Sequence, residues 1–428
     1  MSNTKPAAGS SRRFARALAR IWFHSLQRQG KEPTEGATLY VLNHPNGLVD
    51  ALVPAALLDR PPRFLAKATL WKVVILKPLF TAFAPIPVHR RQDGEVGPAA
   101  TARTFAAVHE AFVHGESVAI FPEGTSHYSR DLAPIKTGAA RIVLSSPVPV
   151  KLVPAGLVYG ERETFRHSVL LRLGEEIEYA DLAGHGAEPA AVNALTERIR
   201  CSLEPLTLHG PDDEVHRLAE KLAWLLAEGP TRRVQLEAVR ARVRLLEERL
   251  SALDPDSRAD IERRVASATR TLREAGIRAD QVGNVYERGL VARWVPGFLV
   301  RVALTPFILS IGALFWPAYR LTGAIVDRLA LERDVQATYK LLLGLVLLPA
   351  WLVLLASLAG WRFGMLGVLA VLVAAAVAFL ALPLAERVSE DVQAIRAFLR
   401  RNDPRTKELL AERLRLLDAF PELRIWVE

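Results

Sequence analysis

The chain has 428 residues, enough for two or more domains. Half of it is hydrophobic, yet its net charge is +9, which points to a basic surface facing phospholipid headgroups, phosphorylated substrates or nucleic acid. One cysteine, Cys201, excludes an intramolecular disulfide framework and fits a reducing compartment.

The first dozen residues are small and polar, and no continuous apolar core follows them as in a secretory signal peptide. From Arg12 to Gln29 the apolar residues Phe14, Leu18, Ile21, Trp22 and Leu26 recur at helical spacing. Arg12, Arg13, Arg16, Arg20 and Arg28 fall mostly between them. Residues 1–36 therefore read as a tail and a basic amphipathic helix, which either lies in a membrane interface or packs on its own domain.

Residues 37–207 alternate between short apolar runs and helical segments. Strands are predicted at Thr38–Leu42, Pro85–His89, Ser117–Phe121, Val150–Val158 and Ser168–Leu173. Helices are predicted at Ala51–Leu58, Ala100–Val113, Thr137–Leu144 and Ala190–Leu203. The fold class is an α/β domain with a mixed, largely parallel sheet flanked by helices. In such sheets the chemistry belongs in the loops that follow strands.

Residues 208–290 are dense in charge and carry apolar positions at helical spacing, for example Leu236-Glu237-Ala238-Val239. They predict a charged helical hairpin, with a turn at Leu253-Asp254-Pro255-Asp256-Ser257 leading into a new helix.

From 291 to 385 the composition is that of a membrane region. Residues 341–361 and 363–385 carry no charge, and a bilayer core needs about 20 apolar residues. Only Arg362 separates the two runs, so they predict a transmembrane helical hairpin. Residues 294–319 are also apolar but hold Pro296, Arg301, Pro306 and Pro317, which predicts a re-entrant or broken segment. Basic residues flank the hairpin at Arg320, Arg328, Arg333 and Lys340, then at Arg387, Arg396, Arg400, Arg401 and Arg405. By the positive-inside rule both ends face the cytoplasm. Residues 386–428 read as C-terminal cytoplasmic helices.

Two strings carry the chemistry. Asn43-His44-Pro45-Asn46-Gly47-Leu48-Val49-Asp50 places an imidazole near a carboxylate, in a loop between a strand and a helix. Such a pair suits a general base that deprotonates an attacking hydroxyl. A histidine is the efficient base near neutral pH, and a carboxylate fixes its tautomer. No serine or cysteine nucleophile is required where a substrate hydroxyl itself attacks. The second string, Phe121-Pro122-Glu123-Gly124-Thr125-Ser126, places a carboxylate in a bent loop straight after an apolar strand. Each string alone is compatible with an ordinary loop and a helix cap.

Together with Ala84-Pro85-Ile86-Pro87-Val88-His89-Arg90-Arg91 and Val150-Lys151-Leu152-Val153-Pro154-Ala155-Gly156, they resemble the four motifs of the glycerolipid acyltransferase superfamily, over residues 40–190. The resemblance implies His44 as catalytic base and Asp50 as its orienting acid. Five residues stand between them where the family usually has four, and Gly47 is placed to absorb the extra one as a bulge. Asn43 and Asn46 are reserve partners. Substrate binding is implied for Arg90, Arg91, Glu123, Gly124 and Thr125, with the arginine fork gripping phosphate and Glu123 holding the glycerol backbone or that arginine. Lys136, ahead of a helix start, and Lys67 are further basic candidates. No metal-ligand cluster and no cofactor are expected; acyl-CoA or acyl-carrier protein serves as co-substrate.

The resemblance implies a membrane-bound O-acyltransferase of phospholipid biosynthesis, with its catalytic domain on the cytoplasmic face. Its partners are a phospholipid membrane, a thioester donor and a glycerol-phosphate or lysophosphatidic acid acceptor. The alternatives are a lysophospholipid remodelling enzyme, or a non-catalytic lipid-binding scaffold with a relic domain. Nucleic-acid binding is not expected, since the basic residues are scattered without a recognition motif. A transporter is disfavoured, because the hydrophobic segments offer no repeat.

Overall fold

Among the described residues seven strands, most of them apolar runs too short to make helices, assemble into one sheet. They are β1 (Phe23–Gln29), β2 (Thr38–Leu42), β3 (Arg63–Lys67), β4 (Ile86–Val88), β5 (Ser117–Ile120), β6 (Lys151–Tyr159) and β7 (His167–Leu173). The strand order is β1-β7-β6-β2-β5-β3-β4. Every neighbouring pair is parallel except β6 with β7. The computed structural model describes residues 8–73, 76–88, 98–128, 132–160, 162, 164–184, 186–207, 213–226, 236–276, 288–329, 331–400 and 402–421.

The chain divides into two units, residues 1–209 with 331–341, and residues 210–330 with 342–428. The first contains the sheet and the helices α1 (Ala8–Trp22), α2 (Leu48–Leu57), α3 (Lys77–Phe83), α4 (Pro98–Val113), α5 (Gly138–Leu144), α6 (Ala180–Ala183) and α7 (Pro189–Leu203). β2 is buried along its whole length and so is β6 after Lys151. That is the pattern of parallel strands covered on both faces. One face of the sheet packs on α4, α5 and α7 through Leu39, Val41, Val118 and Leu152 against Val108, Ile142 and Leu195.

Two expectations change here. The helix expected over 12–29 stops at Trp22, and Phe23–Gln29 is instead the edge strand β1, in register with β7 from Leu26↔Val169 to Gln29↔Arg172. Backbone pairing decides this, since the sequence Phe23-His24-Ser25-Leu26-Gln27-Arg28-Gln29 has no apolar alternation to announce a strand. The N-terminal 36 residues thus belong with the sheet unit, which also takes in residues 331–341. β3, α3 and α6 are elements the sequence pattern does not announce.

The second unit contains α8 (Asp213–Leu225), α9 (Leu236–Ala252), α10 (Pro255–Ala275), α11 (Arg288–Arg328), most of α12 (Arg333–Arg400) and α13 (Pro404–Ala419). Where a hairpin is expected over 208–290, the described residues form the three helices α8, α9 and α10 ahead of α11. They share an apolar core with α13 through Leu222, Leu246, Val265 and Leu416. The expected turn before α10 is present, with the Asp254 side chain accepting from the Ser257 N–H at 2.9 Å.

α11 runs unbroken through Pro296, Pro306 and Pro317, where a broken or re-entrant segment is expected from the prolines. The turn ahead of Pro317 gains an outside donor, as Trp351 Nε1–H donates to Leu314 O at 2.8 Å. Arg301 forks onto Asp391, Nε to Oδ2 at 2.5 Å and Nη2 to Oδ1 at 3.1 Å.

Within α12, Gly364 leaves helical geometry at φ 64°, ψ −153°, beside the expected turn at Arg362. A Cβ on Gly360 would lie 2.9 Å from Val368 Cγ2, and one on Gly367 would meet Ala359 O. Residues eight apart in a continuous helix are separated by about 12 Å along its axis. The chain therefore bends back on itself at Gly364.

Candidate active site

The topology brings the two chemical strings together. β2 lies between β5 and β6, parallel to both, so all three leave the sheet at one edge. β2 runs into the 43–50 loop, β5 into the loop that starts at Phe121, and β6 ends at Tyr159. Loops 70 or more residues apart in sequence thereby share the carboxyl edge of the sheet, where parallel α/β sheets place ligands.

In the first loop His44 Nδ1 meets Asp50 Oδ2 at 2.9 Å. Asp50 is fully buried in the first turn of α2. An unpaired carboxylate there is costly, and this one gathers donors on both oxygens. Oδ2 also accepts from the Asn46 N–H at 2.7 Å, and Oδ1 accepts from the Tyr159 hydroxyl at 2.6 Å. Burial, then the Asp50 charge, pushes the Tyr159 hydroxyl well above its usual value, so it stays a donor.

Gly47, at φ 58° and ψ −132°, turns the chain so that six residues still close onto one hydrogen bond. The Asp50 N–H returns to Gly47 O at 3.2 Å. The His44 ring lies flat on Phe121, with centroids 4.1 Å apart and planes 10° apart. With Nδ1–H given to Asp50, Nε2 carries the lone pair, and among the described residues no side chain engages it. The His44 side chain is 17% exposed.

The two asparagines do structural work. Asn43 continues the β2–β6 ladder, its Nδ2 donating to Leu157 O at 3.1 Å and its Oδ1 accepting from the Leu157 N–H at 2.7 Å. Asn46 donates to Arg162 O at 2.8 Å.

Glu123 is buried and joins the loops. Its Oε1 accepts from the His44 N–H at 2.7 Å, while Oε2 accepts from the Ala133 N–H at 2.7 Å and pairs with His127 Nε2. The His127 N–H donates to His44 O at 3.2 Å. Among the described residues, both Glu123 oxygens thus accept from protein donors. A carboxylate turned inward between two loops must be satisfied by those loops. The hydrogen bond from Glu123 raises the His127 pKa, against the opposing effect of burial.

The remaining candidates are spread around this pair of loops. Gly124, at φ 80°, packs on the Lys136 side chain, where a Cβ would meet Nζ. Lys136 and Thr125 are exposed, and the Lys136 N–H donates to Pro122 O at 2.9 Å. Lys67 is exposed at the end of β3. Arg90 and Arg91, beyond the last residue of β4, lie outside the described residues. Sequence reasoning missed Tyr159, His127 and the Phe121 stacking platform. Tyr159 could have been suspected only from its place at the end of a strand parallel to β2. Among the described residues no group of three His, Cys, Asp or Glu side chains is arranged to hold a metal ion.

Two outcomes follow from this geometry. Asn43→Ala strips both Leu157 backbone groups of their buried partners, so denaturant unfolding is expected to show a loss of about 1–3 kcal/mol for each group. The raised pKa of His127 gives the opposite sign to a carboxylate effect. Its stabilisation is fully present below about pH 6.5 and fades as pH rises through the higher folded value. Melting temperature measured across that range should fall with pH in the wild type, and His127→Asn should flatten this part of the profile.

Comparison with known proteins agrees on the family. An acyltransferase family model matches residues 25–158, which includes both loops. Glycerol-3-phosphate O-acyltransferase 2 of Saccharomyces cerevisiae is 28% identical over 271 residues, covering 58% of this chain and 36% of that protein. Glycerol-3-phosphate O-acyltransferase 1 of the same yeast is 30% identical over 128 residues, covering 28% of this chain and 17% of that protein. An uncharacterized acyltransferase of Schizosaccharomyces pombe is 24% identical over 265 residues, covering 56% and 39%. The chain thus spans well under half the length of these relatives. The crystal structure of the 1-acyl-sn-glycerophosphate acyltransferase PlsC from Thermotoga maritima is similar over 46% of this chain and 79% of that one, at 16% identity and a TM-score of 0.33. On the family match and the yeast relatives, residues 25–158 are an acyltransferase-family domain, and the chain is similar to the glycerolipid acyltransferases.

Proposed function

We propose that this chain is a membrane-bound O-acyltransferase that moves a fatty acyl group from a thioester to a hydroxyl of glycerol phosphate or lysophosphatidic acid. The observation that carries this reading is the His44–Asp50 pair, with Nδ1 fixed by a buried carboxylate and Nε2 left with its lone pair. His44 Nε2 takes the proton from the acceptor hydroxyl as its oxygen attacks the thioester carbonyl. The tetrahedral intermediate then collapses, the C–S bond breaks, and the imidazolium returns the proton to the departing sulfur. Asp50 steadies the imidazolium between those steps. Phosphate recognition is assigned to Arg90 with Arg91, and to the exposed Lys136 and Lys67. Gly124 and Thr125 line the approach to the hydroxyl. Holding donor and acceptor together supplies much of the rate, since oriented reactants gain roughly 7–11 kcal/mol. The names of the yeast relatives favour glycerol-3-phosphate as first acceptor.

The membrane part of the proposal rests on α11 and α12. Two helical stretches, Leu309–Arg328 and Arg333–Arg400, are long and apolar enough to cross a membrane. Their large side chains face outward, with Trp361 86% and Leu380 74% exposed, a surface expected to seek an apolar solvent. We assign residues 341–361 and 363–385 to a hairpin whose basic flanks, and the catalytic unit, lie on the cytoplasmic side. An acyl chain and a lysolipid acceptor are reached from that bilayer.

The test is thioester consumption by the protein in liposomes, with acyl-CoA or acyl-carrier protein and with glycerol-3-phosphate or lysophosphatidic acid. One acceptor is expected to support turnover, and His44→Ala is expected to lower it on the order of 10²–10⁴-fold. Activity unchanged in that variant would overturn the mechanism.

A further inference from the structure

The sheet unit includes one segment from far along the chain. Residues 331–341, holding the first two turns of α12, belong with the sheet. Asp334 and Thr338, four apart, share a helix face, with Asp334 only 4% exposed. Asp334 Oδ2 accepts from the Ser126 hydroxyl at 2.6 Å, in the loop that carries Glu123. Thr338 Oγ1 accepts from the Leu48 N–H at 2.9 Å, in the turn that carries Asp50. The fit against the 43–50 loop is close, since a Cβ on Gly47 would lie 2.6 Å from Thr338 Oγ1 and 3.3 Å from Asp334 O. Arg333 covers the Tyr128 ring at 5.3 Å.

Both loops that build the site are thus gripped from one helix face, by side chains 208 and 290 residues away in sequence. An acid in the first turn of a helix is commonly explained by the helix dipole. That explanation does not account for a buried carboxylate reaching a hydroxyl on another loop, nor for Thr338 one turn later taking a backbone N–H that starts a different helix. Each contact joins α12 to a loop bearing one of the groups assigned to the reaction. The charge-free run of residues 341–361 begins three residues after Thr338.

We infer that Asp334 and Thr338 are positioning residues for acyl transfer, a two-point clamp that holds the His44–Asp50 loop and the Glu123 loop at their working separation. The inference rests on the acyltransferase reading above. It makes the start of the apolar run part of the site's framework, so that base geometry depends on how that helix is seated.

The experiment uses the full chain in liposomes, with kcat and KM measured per mole of folded protein. The variants are Thr338→Val, which keeps the shape and removes the acceptor oxygen, Thr338→Ser, Asp334→Ala, Asp334→Asn and His44→Ala. Thr338→Val and Asp334→Ala are expected to lower kcat on the order of tenfold to a hundredfold, the effect of an ångström-scale misplacement, while KM changes little. Thr338→Ser and Asp334→Asn, which retain acceptor oxygens, should recover most of the loss. Hydrogen exchange in the peptides holding Leu48 and Ser126 should quicken in Thr338→Val and Asp334→Ala respectively, whatever the activity. Unchanged kcat in folded Thr338→Val and Asp334→Ala, beside an inactive His44→Ala, would overturn the clamp and leave the mechanism standing. Undiminished activity of His44→Ala would sink the mechanism, and the clamp as a device for positioning that base with it.

Discussion

A buried carboxylate that must find donors organises this site. Asp50 is enclosed at the start of α2, and its oxygens take a histidine nitrogen and a backbone N–H from its own loop and a tyrosine hydroxyl from the end of β6. Removing one donor while the charge stays buried is expected to be strongly destabilising. That requirement fixes the His44 ring, the Asn46 turn and the end of β6 in one arrangement. The His44–Asp50 geometry is a consequence of satisfying the charge.

Glu123 repeats the device one strand over. Its oxygens collect donors from the 43–50 loop and from its own loop, so the two strings are tied at their centres as well as supported by the sheet beneath. Among the described residues its partners are backbone amides and a histidine, and one of those amides is His44's own, so it fixes the posture of the 43–50 loop. Lys67, Thr125 and Lys136 at the same edge are exposed to solvent.

The parallel sheet makes both devices possible. Strands β2, β5 and β6 lie side by side and point the same way, so the loops after them meet although long helical connections separate them in sequence. Asn43 extends the β2–β6 ladder by one side-chain step and thereby sets where the 43–50 loop departs. The basic, half-polar β1 closes the far side through its pairing with β7.

The sequence by itself determined what short-range pattern and side-chain chemistry can express. Buried apolar runs marked β2, β5, β6 and β7, helical periodicity marked α2, α4, α5 and α7, and the uncharged stretches marked the apolar helices of the C-terminal third. The spacing of His44, Gly47 and Asp50 was legible because one turn of chain suffices to join them. What the tertiary structure decided was every contact made across the fold. Phe23–Gln29 became a strand through its partner β7, since nothing in its own pattern favours one. Glu123 turned inward because donors from another loop stood beside it. Tyr159, and the grip of Asp334 and Thr338 on loops more than 200 residues away, follow from the placing of β6 and α12. Local pattern records which face of an element is apolar; it holds no record of which distant group will meet the polar atom on it.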